Sequence, residues 1–306
     1  MRTLITIIAP GRLYRSAGRY FVFMALAAWL ATAESAPAQE KSLLWQVSRD
    51  GNSMYLLGSI HYLRQEHYPL HATILKALDG SKKLILEVDL NAASAESAQK
   101  VTMEKAVYRD GSTLAKTVSA ETYERAARRA NELGLDMRIL NPMKPWFAAL
   151  TMMAIQLQRM GLEPRLGVDR HLAARAKSSG KPTGGLETLE SQLSVFDRLS
   201  AKEQESMLRE TVEELERLDK KINDIVATWL KGDADGLASL LLAGMREYPD
   251  LYEKILVERN RRWVGEIEKL IGQESGAMVV VGAAHVVGKD SVIEMLKVKG
   301  YRVEQK

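Results

Sequence analysis

Apolar residues fall into two rhythms along this chain, short unbroken runs toward both ends and longer helical spacings between them. Leu43 to Val47 and Ser53 to Leu57 flank the turn Asp50-Gly51-Asn52, a pattern that predicts a hairpin, and its second strand leads straight into Gly58-Ser59-Ile60-His61. A helix is expected near Ala72 to Leu78. Lys83-Leu84-Ile85-Leu86-Glu87-Val88-Asp89 then reads as a short strand with carboxylates at its far end. Ala277 to Val281 is apolar throughout, as in a strand buried on both faces, and Tyr301-Arg302-Val303 follows one helix later.

The middle is helical. Pro142 to Met160 is apolar on nearly every side and includes Met143, Met152, Met153 and Met160. It predicts a buried core helix, or a pliable Met-lined wall of a substrate groove. From Ala201 to Trp229, Met207, Thr211, Leu215, Leu218, Ile222, Ile225 and Trp229 recur at spacings of four and three. That stripe predicts one long helix packed on its own core, with a homodimer seam as the other use of such a face. Strands at both ends around a helical middle predict an α/β sheet whose terminal strands lie close in space. Ligands of such sheets sit beyond the carboxyl ends of the strands.

Residues 1–38 differ from the rest. Arg2, Arg12, Arg15 and Arg19 form a basic leader, Phe21 to Ala31 an apolar run, and Ala36-Pro37-Ala38 sets small residues before Gln39. This is the layout of a secretory signal peptide, and the apolar run falls short of the ~20 residues that span a bilayer. The expected organisation is a signal peptide over 1–38 and one domain over 39–306, periplasmic or secreted, with no stable membrane anchor after cleavage. Of the formal net charge of +4, the four arginines and Glu34 of the leader account for most. The remaining domain is close to neutral, which gives no case for a nucleic-acid partner. With no cysteine, disulfides, thiolate metal sites and cysteine nucleophiles are excluded together.

Two of the five histidines stand three residues after a glycine that ends a strand, His61 after Gly58 and His285 after Gly282. Glycine there permits a close backbone approach and leaves the imidazole at the strand's carboxyl end. Glu87 ends the third strand, and Glu187 follows Gly184-Gly185-Leu186. Two imidazoles and one or two carboxylates suit a catalytic divalent metal with an open water position, assembled from distant segments because no H-e-x-x-H spacing is present. The same residues also have structural readings: a core or capping histidine, an ion-paired strand end, a helix cap. His67, His71 and His171 lack the strand-glycine context and read as surface or structural residues.

The set Leu56-Leu57-Gly58-Ser59-Ile60-His61, Tyr68-Pro69-Leu70, Leu86-Glu87-Val88-Asp89, Gly167-Val168-Asp169, Gly185-Leu186-Glu187-Thr188 with Gln192, Glu258-Arg259-Asn260, Val281-Gly282-Ala283-Ala284-His285 and Gly300-Tyr301-Arg302-Val303 runs in order through nearly the whole mature chain. It resembles the TraB/GumN family, which includes the Tiki proteins. The resemblance implies an α/β fold like that of erythromycin-esterase-like and ChaN-like heme-binding proteins, a central sheet with a large helical insertion. It also implies metal-dependent peptide hydrolysis, since Tiki proteins depend on two Gly-X-X-His motifs and a glutamate. These correspond to His61, His285 and Glu87 as holders of a divalent metal (Mn, Co or Zn) or its water. Glu187 then supports them or acts as general base, and Arg259 with Asn260 binds a substrate carbonyl or oxyanion. Unlike Tiki proteins, the chain shows no hydrophobic segment at its end, Glu304-Gln305-Lys306.

The leading expectation is thus an exported metal-dependent hydrolase, a peptidase of peptide or protein substrates. Two readings stand beside it, a metal-independent histidine-based esterase and a non-catalytic periplasmic binding protein for a peptide or a heme or iron ligand. N-terminal sequencing of protein recovered from the periplasm is expected to begin at or near Gln39. A mature chain that retains Met1 in the cytosol would overturn the export reading.

Overall fold

Asp50 and Gly51 both take the left-handed conformation, φ 51° and 80°. Two such residues make the tight turn whose twist matches a hairpin, here between β1 (Leu44–Arg49) and β2 (Asn52–Ser59), with Leu44 opposite Leu57. The computed structural model describes residues 41–306 other than Ala93 and Glu274, so the expected signal peptide lies outside the described residues.

One-turn helices aside, the chain continues through α1 (Ala72–Gly80), β3 (Lys83–Val88), α2 (Ala95–Ala106), α3 (Ala120–Glu132), α4 (Pro145–Arg159) and α5 (Val168–Ser178). Then come β4 (Thr183–Glu187), α6 (Leu189–Asp197), α7 (Ala201–Glu214), α8 (Leu218–Leu230), α9 (Ala234–Leu242) and α10 (Glu258–Gln273). The last elements are β5 (Ala277–Gly282), α11 (Val292–Val298) and β6 (Arg302–Gln305). The result is a mixed α/β protein with a six-stranded sheet in the order β4-β3-β5-β2-β1-β6. The first four strands in that order are parallel, while β1 runs antiparallel to both β2 and β6. The first and last strands are therefore neighbours, as expected. All four parallel strands end on the same edge.

Among the described residues two large hydrophobic cores form, beside a small cluster of Leu242, Tyr252, Leu256 and Val257. Every residue of β5 is buried, and residues of α1, α5, α8, α10 and α11 pack with it into the sheet core. A separate helical core joins α3, α4 and α7, with Met152 and Leu208 at zero exposure. Among the described residues, no helix is long and apolar enough to cross a membrane.

The structure departs from the hydrophobic pattern in two places. The expected helix from Ala201 to Trp229 is broken at residues 215–217, where Arg217 has φ −112° and ψ 0°. Leu208, Val212 and Leu215 before the break, with Leu218 and Ile222 after it, face the helical core, whereas Ile225, Val226 and Trp229 reach the sheet core. One straight helix could not bury that stripe against both. The hydrophobic pattern also marks no strand at Thr183–Glu187, where two glycines leave no apolar run. Pairing with β3, Leu84 against Thr183 through Val88 against Glu187, supplies the strand that local sequence does not.

Trp229 ties the two layers to the site edge, its indole Nε1 donating to the carbonyl of Gly58 at 2.7 Å in a buried position. Trp229→Phe removes the donor while keeping most of the packing. It is expected to cost about 1–3 kcal/mol, the range for stranding a buried hydrogen-bonding group, read from urea unfolding.

Candidate active site

The carboxyl ends of β2, β3, β4 and β5 deliver His61, Glu87, Glu187 and His285 to one edge of the sheet. β2 and β5 are in register there, Ser59 opposite Gly282, and the Ser59 hydroxyl donates to the Val281 carbonyl at 3.2 Å. Two glycines make the approach possible. A Cβ on Gly58 would lie 2.5 Å from Val286 Cγ2 and 3.2 Å from Ala283 Cα, so the segment bearing His285 can cross β2 only over a glycine. A Cβ on Gly282 would lie 3.2 Å from Glu87 Oε1, 3.3 Å from His61 Nε2 and 3.7 Å from His285 Cδ2. That bare backbone is the floor of the site.

Arg259, on the first turn of α10, binds the cluster together from within. Nε and Nη2 donate to Glu187 Oε1 at 3.1 and 2.6 Å, and Nη2 also donates to Glu87 Oε2 at 2.7 Å. Nη1 reaches His285 Nε2 at 3.1 Å and the Ile255 carbonyl at 3.4 Å. All five N–H groups of the guanidinium are thereby used, and its face lies on Trp263, 4.4 Å from the ring centre. Because guanidinium is always a donor, His285 Nε2 accepts and its proton sits on Nδ1. Nδ1 in turn donates to Asn260 Oδ1 at 2.6 Å, and Asn260 Nδ2 donates to the Asp290 carbonyl at 2.7 Å. Burial, the largest effect, lowers the pKa of His285; Glu87 opposes it and the charges of Arg259 and His61 add to it, and the pKa falls to about 3. His285 is a neutral imidazole.

His61 is shifted in the opposite direction. Enclosure by protein alone would lower its pKa, but the hydrogen bond from Nδ1 to Asp169 Oδ1 at 3.0 Å, with the charges of Asp169 and Glu87, raises it to about 9. Its side chain keeps 54 % of its surface open to the cavity. Burial alone would raise the pKa of Glu87, but His285, Arg259, His61 and the Gly282 N–H, which donates to Oε1 at 2.7 Å, bring it to about 2. Since His285 is neutral, Arg259 and His61 carry that effect at neutral pH. Gln192 Nε2 adds a donor to Glu87 Oε2 at 2.8 Å.

The cavity in front of these groups has two lobes that share Ser59, His61, Tyr62, Glu87 and Gln192. The polar lobe, about 320 Å³, adds Asp169, Arg170 and Pro164. The apolar lobe, about 450 Å³, is walled by Leu157, Phe196, Ile222, Ile225 and Leu241. Among the methionines of the expected Met-lined wall, Met152 is wholly buried in the helical core and Met143, Met153 and Met160 pack against it.

The six polar residues singled out in the sequence thus come together, but they face different ways. His61 and Glu87 meet the cavity, and Glu187, Arg259 and Asn260 spend their hydrogen bonds on one another and on their neighbours. Glu187 Oε2 accepts no hydrogen bond among the described residues and lies 3.8 Å from Arg262. His67, His71 and His171 lie elsewhere: the first two accept from nearby backbone N–H groups, and His171 packs on Tyr68 at 4.8 Å. Sequence reasoning gave no role to Asp169, although Gly167-Val168-Asp169 belongs to the family pattern, because its partner is 108 residues away. Gln192 was visible only in the same way.

As for a divalent ion, His61 Nε2 and Glu87 Oε1 converge over Gly282, but the third expected donor, His285 Nε2, is occupied by Arg259. Among the described residues, no group of three or more His, Asp or Glu is disposed to hold a metal. Catalytic zinc-type sites take three protein ligands, so these residues, as arranged, do not complete one.

A mixed α/β sheet with a histidine, carboxylate and guanidinium cluster at the ends of its parallel strands defines the class of protein. More narrowly, the profile of the TraB/PrgY/gumN family matches residues 43–305, and the chain belongs to that family. It is 26% identical to the uncharacterized protein YbaP of Escherichia coli (strain K12) over 244 residues, which span 79% of this chain and 87% of that one. YbaP of Shigella flexneri matches to the same extent. An uncharacterized protein of Treponema pallidum (strain Nichols) is 20% identical over 277 residues, 85% of this chain and 81% of its own. No solved structure matches the chain at a significant level.

Arg259→Ala would leave Glu87 and Glu187, 12 % and 6 % exposed, without their shared counter-charge. The expected cost is about 3–5 kcal/mol in urea unfolding, the range for breaking a buried ion pair. A loss below about 1 kcal/mol would mean that the guanidinium does not hold the cluster together.

Proposed function

We propose that this protein is a periplasmic or secreted hydrolase of peptide or protein substrates that activates water between His61 and Glu87. The observation that carries this reading is the facing of His61 Nε2 and Glu87 Oε1 over Gly282, in a cavity, with His61 oriented by Asp169. A chain without cysteine and without a G-x-S-x-G elbow leaves water as the nucleophile. His61 takes the proton from that water as general base, and the neighbouring Asp169 carboxylate stabilises the imidazolium that forms. Glu87, ionised and fixed by Arg259, Gln192 and Gly282, accepts a hydrogen bond from the water and orients it. For the developing oxyanion, Gln192 has a second amide N–H and Tyr62 a hydroxyl on the same cavity walls. His285, Asn260 and Arg259 position these groups. The six-stranded sheet with its helical insertion is compatible with kinship to the erythromycin-esterase and ChaN-like folds, which we propose as its fold group.

One observation favours a divalent-ion version of the same hydrolase, the convergence of two donors over Gly282; it requires Arg259 to release His285. Casein and mixed peptides serve as first substrates. Cleavage is expected to persist after exhaustive chelation, and loss of activity that Mn²⁺ or Co²⁺ restores would move the reading to the ion-dependent version. His61→Ala is expected to lower cleavage by about 10²–10⁴ while leaving the folded state intact by circular dichroism. The pH profile follows from the shifts: Glu87 is ionised above about 2 and His285 neutral above about 3, while His61 keeps its proton up to about 9. A base must be unprotonated, so kcat/KM should climb about tenfold per pH unit and level off only near pH 9. A profile flat from pH 6 to 9 would remove His61 from the role of base.

A further inference from the structure

The two lobes of the cavity differ in charge as well as polarity. In the polar lobe, Asp169 pairs with His61, and Glu87 shares with Glu187 the guanidinium of Arg259, which lines the other lobe. Arg170, one residue on from Asp169 and exposed in the lobe wall, is the charged side chain without a partner. Among the described residues its guanidinium makes no hydrogen bond or ion pair, and its neighbours in the wall, Tyr62, Pro164 and Leu90, are uncharged. An arginine in that state presents a planar fork of donors suited to a carboxylate, which it binds through two parallel hydrogen bonds.

The other lobe is mainly apolar. Leu157, Phe196, Ile222, Ile225 and Leu241 form its walls, and Arg259 and His285, which also line it, have their hydrogen bonds taken up within the cluster. His61 and Glu87 therefore stand between a lobe that presents the unpaired Arg170 and an apolar one. A substrate whose scissile bond lies at His61 places its two sides in unlike surroundings, and the arrangement favours an apolar side chain on one side and an anion on the other.

We propose that Arg170 binds a carboxylate of the substrate, so that the protein prefers peptides carrying an apolar residue and a carboxylate next to the bond it cleaves. The inference rests on the hydrolase reading for the place of that bond. The carboxylate has two possible sources, the C-terminus of a peptide or an Asp or Glu side chain.

Three N-acetylated tripeptides separate the sources: Ala-Ala-Leu as the free acid, Ala-Ala-Leu as the C-terminal amide, and Ala-Asp-Leu as the C-terminal amide. Their affinities for the protein, Arg170→Gln and Arg170→Lys are measured by titration calorimetry, and the same samples are analysed for cleavage. One of the two carboxylate peptides is expected to bind the protein about tenfold or more tightly than the neutral amide, the worth of one charge-assisted pair. Which of them does so names the source. In Arg170→Gln the preference collapses toward unity, and Arg170→Lys restores part of it. Equal affinities for all three peptides, or a preference undiminished in Arg170→Gln, would overturn the proposal. A carboxylate preference without cleavage supports the carboxylate site and counts against the hydrolase reading, whereas cleavage without preference does the reverse.

Discussion

A guanidinium removed from water is tolerated only when its donors are met, and Arg259, 5% exposed, meets that condition with all five. Its partners come from three separate strand ends and from the helical turn that leads into its own helix. β3 supplies Glu87, β4 Glu187, the turn after β5 His285, and the helical turn leading into α10 the Ile255 carbonyl. Those elements can satisfy Arg259 only when the sheet is assembled in its observed order, with β3 between β4 and β5. The charge thus couples strand order to site geometry. It also sets protonation: the same guanidinium helps keep Glu87 ionised and His285 neutral.

The two Gly-X-X-His motifs look alike and end alike, each at the carboxyl end of a parallel strand. Their chemistry diverges because their partners differ. His285 is buried with a cation on one ring nitrogen and an amide oxygen on the other, and its charged form is disfavoured despite Glu87 nearby. His61 has a carboxylate on one nitrogen and a second carboxylate facing the other, and its charged form is favoured. Environments that push two like groups apart in this way separate a positioning residue from one that can exchange protons with substrate. The glycines serve the close approach in different degrees: a methyl group would clash at Gly58, and at Gly282 it would crowd the site's floor.

The helical layer does more than cover the sheet. Its break between α7 and α8 lets one apolar stripe serve both cores, and the side chains where the cores meet, Ile222 and Ile225, are also cavity walls. Trp229, further along the same helix, fixes the strand end from which His61 extends. Packing and site share these residues. An apolar lobe beside a polar one follows from the helical layer meeting the sheet at its carboxyl edge.

What could be read from sequence was what neighbouring residues decide. The hairpin turn at Asp50-Gly51, the doubly buried strand over Ala277 to Val281, and the strand-end positions of His61, Glu87 and His285 all follow from local periodicity and glycine placement. Glycine placement also marked Glu187, and the family pattern added Arg259 and Asn260 as members of the same group. The direction in which each side chain faces was not legible. Arg259 and Asn260 read as groups that could bind substrate, yet their donors and acceptors are used within the protein. Glycine-rich β4 took its strand form from pairing with β3, and Asp169 acquired its partner across 108 residues of chain. Hydrophobic period and turn chemistry act over a few residues and leave a trace in sequence. The choice of hydrogen-bond partner, and with it which histidine carries charge, depends on groups brought together only when the sheet closes, and so belongs to the tertiary structure.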